Sequence, residues 1–154
     1  MLLLIPLIPF AGFLVNAGLG RRLSKSVSGA LACAAMLASF GVSLAAVSQL
    51  VALAPDSRAI VQDVYRWIRS GDLDVEFSLR LDPLSALMIL VVTGIGSLIH
   101  IYSTAYMHDE PDSEFARYFS YLNLFAAFML TLVLGANFLV MFVGWRASGS
   151  APTC

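Results

Sequence analysis

The sequence predicts an all-α protein: a polytopic bundle of transmembrane helices, with four full spans and a partial fifth, and an external β-hairpin between helices 2 and 3. Three observations predict this class. Hydrophobic residues make up 59% of the 154 residues and charged residues only 12%, about half the charged share of an average soluble domain. Uncharged runs recur at lengths that cross a bilayer of about 30 Å. Between two of these runs, apolar and polar residues alternate with the period of a strand.

The first predicted helix covers residues 2–20, and a basic cluster of Arg21, Arg22 and Lys25 follows it. A signal peptide would carry its basic residues before the apolar run, so a retained helix is the better interpretation. The density of basic residues in this first loop places the loop inside. We therefore expect the N-terminus and the hairpin to lie outside.

The second predicted helix covers residues 27–53 and is rich in small side chains. Ala35, Ser39 and Ser43 recur at every fourth position and would line one face of the helix. Such a face lets another helix approach closely. An alanine-rich span without any such contact explains the same pattern, and the sequence leaves both interpretations open.

The hairpin is predicted at about residues 61–81. From Leu73 to Asp82, apolar residues alternate with polar ones over ten positions, and Ser70-Gly71-Asp72 supplies a turn before them. We expect the hairpin to lie across the helix ends with its apolar face down. Its acidic residues are interpreted as a solvated strand face in preference to catalytic groups.

The third predicted helix, residues 83–106, has the most clearly marked start. Asp82 is a good N-cap and Pro83 suits the first helical position. His100 is the first ionisable residue after Leu84 and lies about 26 Å along the helix, near the inner interface. We interpret Asp82 as a cap in preference to a proton donor. We interpret His100 as an interfacial structural residue, with a role in a proton path as the alternative.

An acidic loop precedes the fourth predicted helix, residues 115–134, and its last residues are expected to cap that helix and to place negative charge at its positive end. Aromatic residues from Phe115 to Tyr121 are expected at the headgroup level. Gly135 and Asn137 then suit a tight reversal into a fifth helix, residues 137–145. The apolar part of that helix spans only about 13 Å before residues 146–154 change character.

Composition excludes several function classes. A net charge of −1 gives no reason to expect nucleic acid as a partner. Cys33 and Cys154 show no metal-ligand spacing, and the chain has neither a glycine-rich phosphate loop nor a cysteine cluster. We therefore expect no catalytic, cofactor-binding or metal residues in this chain, and the lipid bilayer as its surroundings.

Several motifs resemble the subunit L family of the proton-translocating NADH-quinone oxidoreductases (complex I), over Met1 to Trp145. The matching stretches are Trp67 with Ser70-Gly71-Asp72-Leu73, the run from Arg80 to Met88, Val91 to Gly96, His100 to Ser103, Tyr106-Met107, Arg117 to Phe119, Tyr121 to Phe125, and Asn137 to Trp145. Related cation/proton antiporter subunits usually have Leu-Asp-Gly-Leu at the third helix, so Pro83 favours complex I. Ala136 departs from the aspartate that the family commonly has there.

The resemblance implies an antiporter-like membrane-arm subunit, in the bacterial inner membrane, that takes part in proton translocation driven by NADH-to-quinone electron transfer. NADH, quinone, FMN and iron–sulfur clusters would then act through other subunits of the complex, which are the implied partners. The family continues after the tryptophan with a glutamate credited with proton movement. Arg146 occupies that position here.

The residues after Trp145 do not follow the family pattern. If the residues that usually follow the tryptophan in the family are written with G+C-rich codons and one G is deleted, the new reading frame encodes Trp145 to Cys154 and then a stop codon. Our first hypothesis is therefore a fragment that was truncated by a frameshift and is inactive alone. A small non-catalytic membrane protein, acting as a helix-packing scaffold or assembly partner, is the alternative. A second alternative is a subunit of a related cation/proton antiporter.

Overall fold

The computed structural model describes residues 2–19, 24–52, 59–70, 73–109 and 111–149, with a two-stranded sheet between the second and third helices of that part of the chain. The predicted order of elements is confirmed. The elements are α1 (Leu4–Leu19), α2 (Lys25–Ala52), β1 (Ile60–Ser70), β2 (Leu73–Leu81), α3 (Pro83–Tyr106), α4 (Asp112–Leu134) and α5 (Phe138–Gly149).

Three of these helices are long and apolar enough to cross a membrane, namely α2, α3 and the part of α4 from Glu114 to Leu134. The apolar helix α1 has 16 described residues, or about 24 Å, which is shorter than the full span predicted over residues 2–20. Helix α5 has 12 residues and runs through Arg146 to Gly149, so it does not end at Trp145 as the sequence had indicated. The rest of the predicted tail, residues 150–154, lies outside the described residues.

The start of α3 follows the predicted capping arrangement. Asp82 has an extended backbone, and its carboxylate accepts a hydrogen bond of 2.7 Å from the backbone N–H of Ser85. Pro83 occupies the first turn, where a missing N–H costs nothing. At the start of α4 the predicted cap is wrong, because the N-cap is Pro111, which makes no side-chain cap. The backbone positions of the acidic residues fall within the first turn of α4, so negative charge does occur at this helix end.

The hairpin packs its apolar residues against the helix ends. β1 and β2 pair antiparallel from Ile60 opposite Leu81 to Ser70 opposite Leu73, with two register irregularities. Leu79 and Leu81 are fully buried, whereas Arg80 between them is exposed, as the alternation predicts. A single core cluster joins this face of the hairpin to the helices; its members are Leu2, Ile5, Ala46, Leu50, Leu79, Leu81, Ala86, Ile89, Leu130 and Leu134.

The hairpin also holds the turn between α4 and α5. The backbone N–H of Ala136 donates to the carbonyl of Ser78 at 3.1 Å, and Gly135 forms an isolated bridge with Leu79. Gly135 has a φ of −57°, so the left-handed backbone of many helix ends is absent here. A Cβ at this position would stand 3.2 Å from the backbone nitrogen of Met141. Close approach of the chain therefore accounts for the glycine.

Small residues bring α1 and α2 together, which decides between the two interpretations of the second helix. The Ser39 hydroxyl donates to the carbonyl of Ile5 at 2.7 Å. A Cβ built on Gly12 would stand 2.9 Å from the Cβ of Ala35. The face of small residues is therefore a helix-packing seam, as spans packed without a hydrophobic driving force require.

Two of the aromatic residues at the start of α4 face the interior of the bundle. Phe115 and Phe119 are buried, with ring centroids 4.8 Å apart. The Tyr118 hydroxyl lies 3.1 Å from the Ser103 hydroxyl of α3. The two phenylalanines are therefore packed inside the bundle beside Ala32 of α2, and their predicted position at headgroup depth stays a prediction.

Candidate functional site

The structure separates the two candidate residues and gives them different surroundings. Asp82 lies at the start of α3, beside the hairpin. The hydrogen bond from the Ser85 backbone N–H lowers the pKa of the Asp82 carboxyl, and the positive charge of Arg80 acts in the same direction. The carboxylate is thus engaged as a helix cap, which is the role that the sequence predicted for it.

His100 lies inside the bundle, on the face of α3 that packs against α4. Its side chain is 1% exposed. The Phe119 ring of α4 stands beside it, with centroids 6.1 Å apart. The side chain therefore faces protein, while the predicted depth of His100 near the inner interface stays a prediction. A buried ionisable residue in a membrane bundle is a candidate functional group by default.

Two oxygen atoms face the two ring nitrogens of His100. Nδ1 lies 2.7 Å from the carbonyl oxygen of Gly96, one turn earlier in α3. Nε2 lies 3.0 Å from Oδ1 of Asn123 in α4. The other amide atom of Asn123, Nδ2, is buried and has no hydrogen-bond partner. His100 and Asn123 therefore form a buried polar pair that bridges two helices, and we call it the His100–Asn123 pair.

Asn123 is the member of this pair that sequence reasoning missed as a site residue. A polar amide in the middle of a long apolar helix was the signal that could have found it. Its partner could not be assigned from spacing, because the two residues lie 23 positions apart on different helices. Only the packing of α3 against α4 brings them together.

The hydroxyl groups around the pair are mostly satisfied within their own helices. Each donates to a carbonyl four residues earlier, as hydroxyls in helices often do; these donors are Ser43, Thr93, Ser97, Ser120 and Thr131. Hydrogen bonds between side chains of different helices come instead from the His100–Asn123 pair, the Ser103–Tyr118 hydroxyl pair and the buried Asn16–Ser28 pair of α1 and α2. The His100–Asn123 pair is the one among these three that contains a group able to gain a proton near neutral pH.

A cavity of about 230 Å³ borders His100 between α3 and α4. The rest of its lining is apolar and includes Val92, Ile95, Leu122 and Phe125. Within the described ranges, no group of three or more His, Cys, Asp or Glu side chains is placed to hold a metal ion. Arg146 lies exposed in the last turn of α5.

These features define a class: a helical membrane protein whose bundle encloses a histidine–amide pair and is closed at one end by a β-hairpin.

A family profile described as "NADH-Ubiquinone oxidoreductase (complex I), chain 5 N-terminus" matches residues 67–119. The chain is 43% identical over 144 residues to NADH-quinone oxidoreductase subunit L of Mycobacterium tuberculosis, covering 94% of this chain and 22% of that protein. It is 37% identical over 155 residues to subunit L of Escherichia coli, covering 97% of this chain and 24% of that protein. The chain is thus a relative of the subunit L and chain 5 proteins, and the resemblance predicted from its motifs is confirmed.

A solved structure shares the fold. The structure of the Mrp complex from Dietzia contains a chain with 28% sequence identity and a TM-score of 0.74, covering 97% of this chain and 15% of that one. The chain spans about a fifth of the length of the curated relatives that it matches. The antiporter-like fold is therefore shared along almost all of the 154 residues.

Proposed function

We propose that this chain takes part in proton translocation as a membrane subunit of an NADH-quinone oxidoreductase. The observation that carries the proposal is the 43% identity to a subunit L along 94% of the chain. The fold supports it, since three helices are long and apolar enough to cross a membrane. The bacterial inner membrane is the proposed location, and the other membrane-arm subunits are the proposed partners.

We further propose that these 154 residues do not translocate protons alone. A path through a bilayer needs several ionisable groups at depth with matched proton affinities. Among the described side chains of Asp, Glu, Lys, Arg and His, His100 is the buried one. Arg146, at the position of the family's glutamate, carries a fixed charge and cannot pass a proton on. The chain itself would bind no cofactor, and NADH, quinone, FMN and iron–sulfur clusters would act through other subunits.

Affinity purification from cell membranes tests the first proposal. The tagged chain is expressed in a bacterium whose own subunit L has been deleted, and the purified material is analysed by mass spectrometry. Recovery of other complex I membrane subunits is expected. A tagged Gly12→Ala variant, in which the packing of α1 against α2 is disturbed, serves as the control. It shows whether recovery of the other subunits depends on the folded chain. Recovery of the chain without any complex I subunit would contradict the proposal.

Reconstitution tests the second proposal. Liposomes that contain the purified chain and a pH-sensitive dye are given a pH difference across the membrane. We expect the difference to decay at the same rate as in protein-free liposomes. Faster decay that depends on His100 would show that the chain conducts protons unaided, and the second proposal would then be wrong.

A cation/proton antiporter complex is the second candidate assembly, since a chain of an Mrp complex shares the fold at a TM-score of 0.74. The same purification distinguishes the two assemblies. Recovery of antiporter subunits in place of complex I subunits would favour this second candidate. A chain recovered alone would favour the non-catalytic membrane protein considered from the sequence.

A further inference from the structure

The hydrogen bonds of His100 do not fit a neutral imidazole with Asn123 in its present orientation. A neutral ring carries one N–H, so it donates from one nitrogen and accepts at the other. Here both nitrogens face oxygen atoms, the Gly96 carbonyl at 2.7 Å and Asn123 Oδ1 at 3.0 Å. A protonated ring donates from both nitrogens and satisfies both oxygens. This orientation of the Asn123 amide is therefore the one that an imidazolium ring would satisfy.

Turning the Asn123 amide by half a rotation matches the neutral ring instead. The oxygen and nitrogen of an amide have nearly the same shape, so the turn needs no additional space. Nδ2 would then donate to Nε2 of His100, while the N–H at Nδ1 would continue to donate to Gly96. Each amide orientation thus satisfies one protonation state of the ring and leaves the other state with a mismatched contact.

We infer that His100 and Asn123 form a proton-binding site in which the orientation of the Asn123 amide follows the protonation of His100. In the neutral state, Nε2 accepts from the amide NH₂. When a proton from water binds at Nε2, the new N–H donates to Oδ1, and the amide turns to present that oxygen. The inference deepens the proposed function and rests on it for its role in proton translocation.

The far end of the amide extends this change towards α1. Nδ2 has no hydrogen-bond partner in the observed orientation, and a Cβ built on Gly12 of α1 would stand 3.1 Å from it. Gly12 therefore leaves the space into which this end of the amide points. Protonation of His100 would present a donor to α1 at this point, and deprotonation would present an acceptor.

The groups that contact the His100 ring are uncharged. The groups that face His100 are the Gly96 carbonyl of α3, and the Asn123 amide and Phe119 ring of α4. From α2, the apolar Met36 approaches Gly96. Among the described Asp, Glu, Lys, Arg and His side chains, His100 is the buried one. A titratable group on the packed helix α4 is the Tyr118 hydroxyl, which pairs with Ser103 one turn further along α3.

Nitrogen NMR of the full 154-residue chain in lipid bilayers tests the inference. The chain has two histidines, at positions 100 and 108, and three asparagines, at positions 16, 123 and 137, so side-chain labels give few signals. The pH is changed from about 9 to about 4, a range that includes the ordinary histidine pKa. We expect the signal of the non-protonated ring nitrogen of His100 to be lost at low pH. The Asn123 amide signals should shift with the same midpoint.

Two variants make the result specific. His108→Gln removes the other histidine, and the Asn123 response should persist in it. His100→Gln removes the titrating ring, and the Asn123 response should disappear. If either variant does not fold, the NMR titration of the unsubstituted chain still tests the inference. An Asn123 signal that stays constant while His100 titrates would overturn the inference, as would a His100 ring that keeps one form throughout the range.

The NMR measurement uses the chain alone, whereas the purification that tests the proposed function uses whole membranes. Recovery of complex I subunits together with a constant Asn123 signal would overturn this inference only. A coupled titration without recovery of those subunits would overturn the proposed function and leave the proton-binding site in place.

Discussion

At the scale of single residues, Asp82 shows how a local signal determines a helix start. Its carboxylate accepts the Ser85 backbone N–H at 2.7 Å, one of the donors that the first turn leaves without a partner. We expect Asp82→Ala to lower the free energy of unfolding in detergent by about 1 kcal/mol at pH 7. Asp109→Ala is the control, because Asp109 is an exposed residue beyond the end of α3. An equal loss in both variants would contradict the capping role.

The same cap predicts a dependence on pH. The Ser85 N–H lowers the pKa of Asp82 below its ordinary value of 3.8. A carboxyl with a lowered pKa in the folded state contributes stability that is present above pH 3.8 and is lost as the pH falls through the folded pKa. Asp82→Asn retains an oxygen acceptor but does not titrate. The difference in stability between the unsubstituted chain and this variant should therefore remain constant above about pH 5 and change below pH 3.8, as measured by unfolding at a series of pH values.

The sequence predicted Asp82 well and His100 only in part, for a physical reason. A cap depends on residues three positions apart, so the sequence contains all of it. The environment of His100 depends on Asn123, which lies on another helix, and on the approach of α4 that buries both. The composition of α3 indicated a polar residue in an apolar span, but no spacing rule supplies the partner or the burial.

At the scale of elements, the positions and types of the helices and strands followed from periodicity and from runs without charge. The predicted third helix, residues 83–106, agrees with α3 at both ends because a cap and a proline mark its start. The starts of α2 and α4 and the end of α5 differ by two to four residues, since no residue there forces the helix to begin or end. Contacts between elements, such as Ala136 with Ser78, had no signal in the sequence at all.

Helix α1 offers a matched test of close packing. A Cβ on Gly12 would meet Ala35 at 2.9 Å, whereas a Cβ on Gly18 meets nothing within 4 Å. Overpacking typically costs about 1–3 kcal/mol, and alanine in a helix gains at most about 1 kcal/mol over glycine. We expect Gly12→Ala to lower the unfolding temperature in detergent and Gly18→Ala to leave it unchanged or raise it. A Gly12→Ala variant as stable as the Gly18→Ala variant would show that α1 and α2 are not in close contact.

At the scale of the whole molecule, two contacts determine which chain segments share an end of the bundle. The backbone N–H of Leu2 donates to Oε1 of Gln62 at 2.7 Å, so the start of α1 lies beside the hairpin. At the opposite end, the Lys25 ammonium donates to the carbonyl of His108 at 3.3 Å, so the start of α2 lies beside the end of α3. The structure therefore groups the hairpin with the start of α1, as the sequence predicted.

Labelling of single cysteines determines which end faces outward. Lys25 lies at the end opposite the hairpin, and the sequence places it with Arg21 and Arg22 in one basic loop, which favours the cytoplasm. Cys33 and Cys154 are first replaced by serine, and then either Val61→Cys in the hairpin or His108→Cys at the other end is introduced. Both Val61 and His108 are exposed side chains, so differences in labelling report the side of the membrane.

With a membrane-impermeant maleimide on spheroplasts, we expect the Val61→Cys protein to be labelled directly and the His108→Cys protein only after permeabilisation. The physical reason is that basic loops are retained on the side from which the helices insert. The opposite pattern would place the hairpin in the cytoplasm and contradict the predicted orientation. Labelling of both proteins in intact spheroplasts would show that the two ends do not lie on opposite sides, which contradicts a spanning arrangement of α2 and α3.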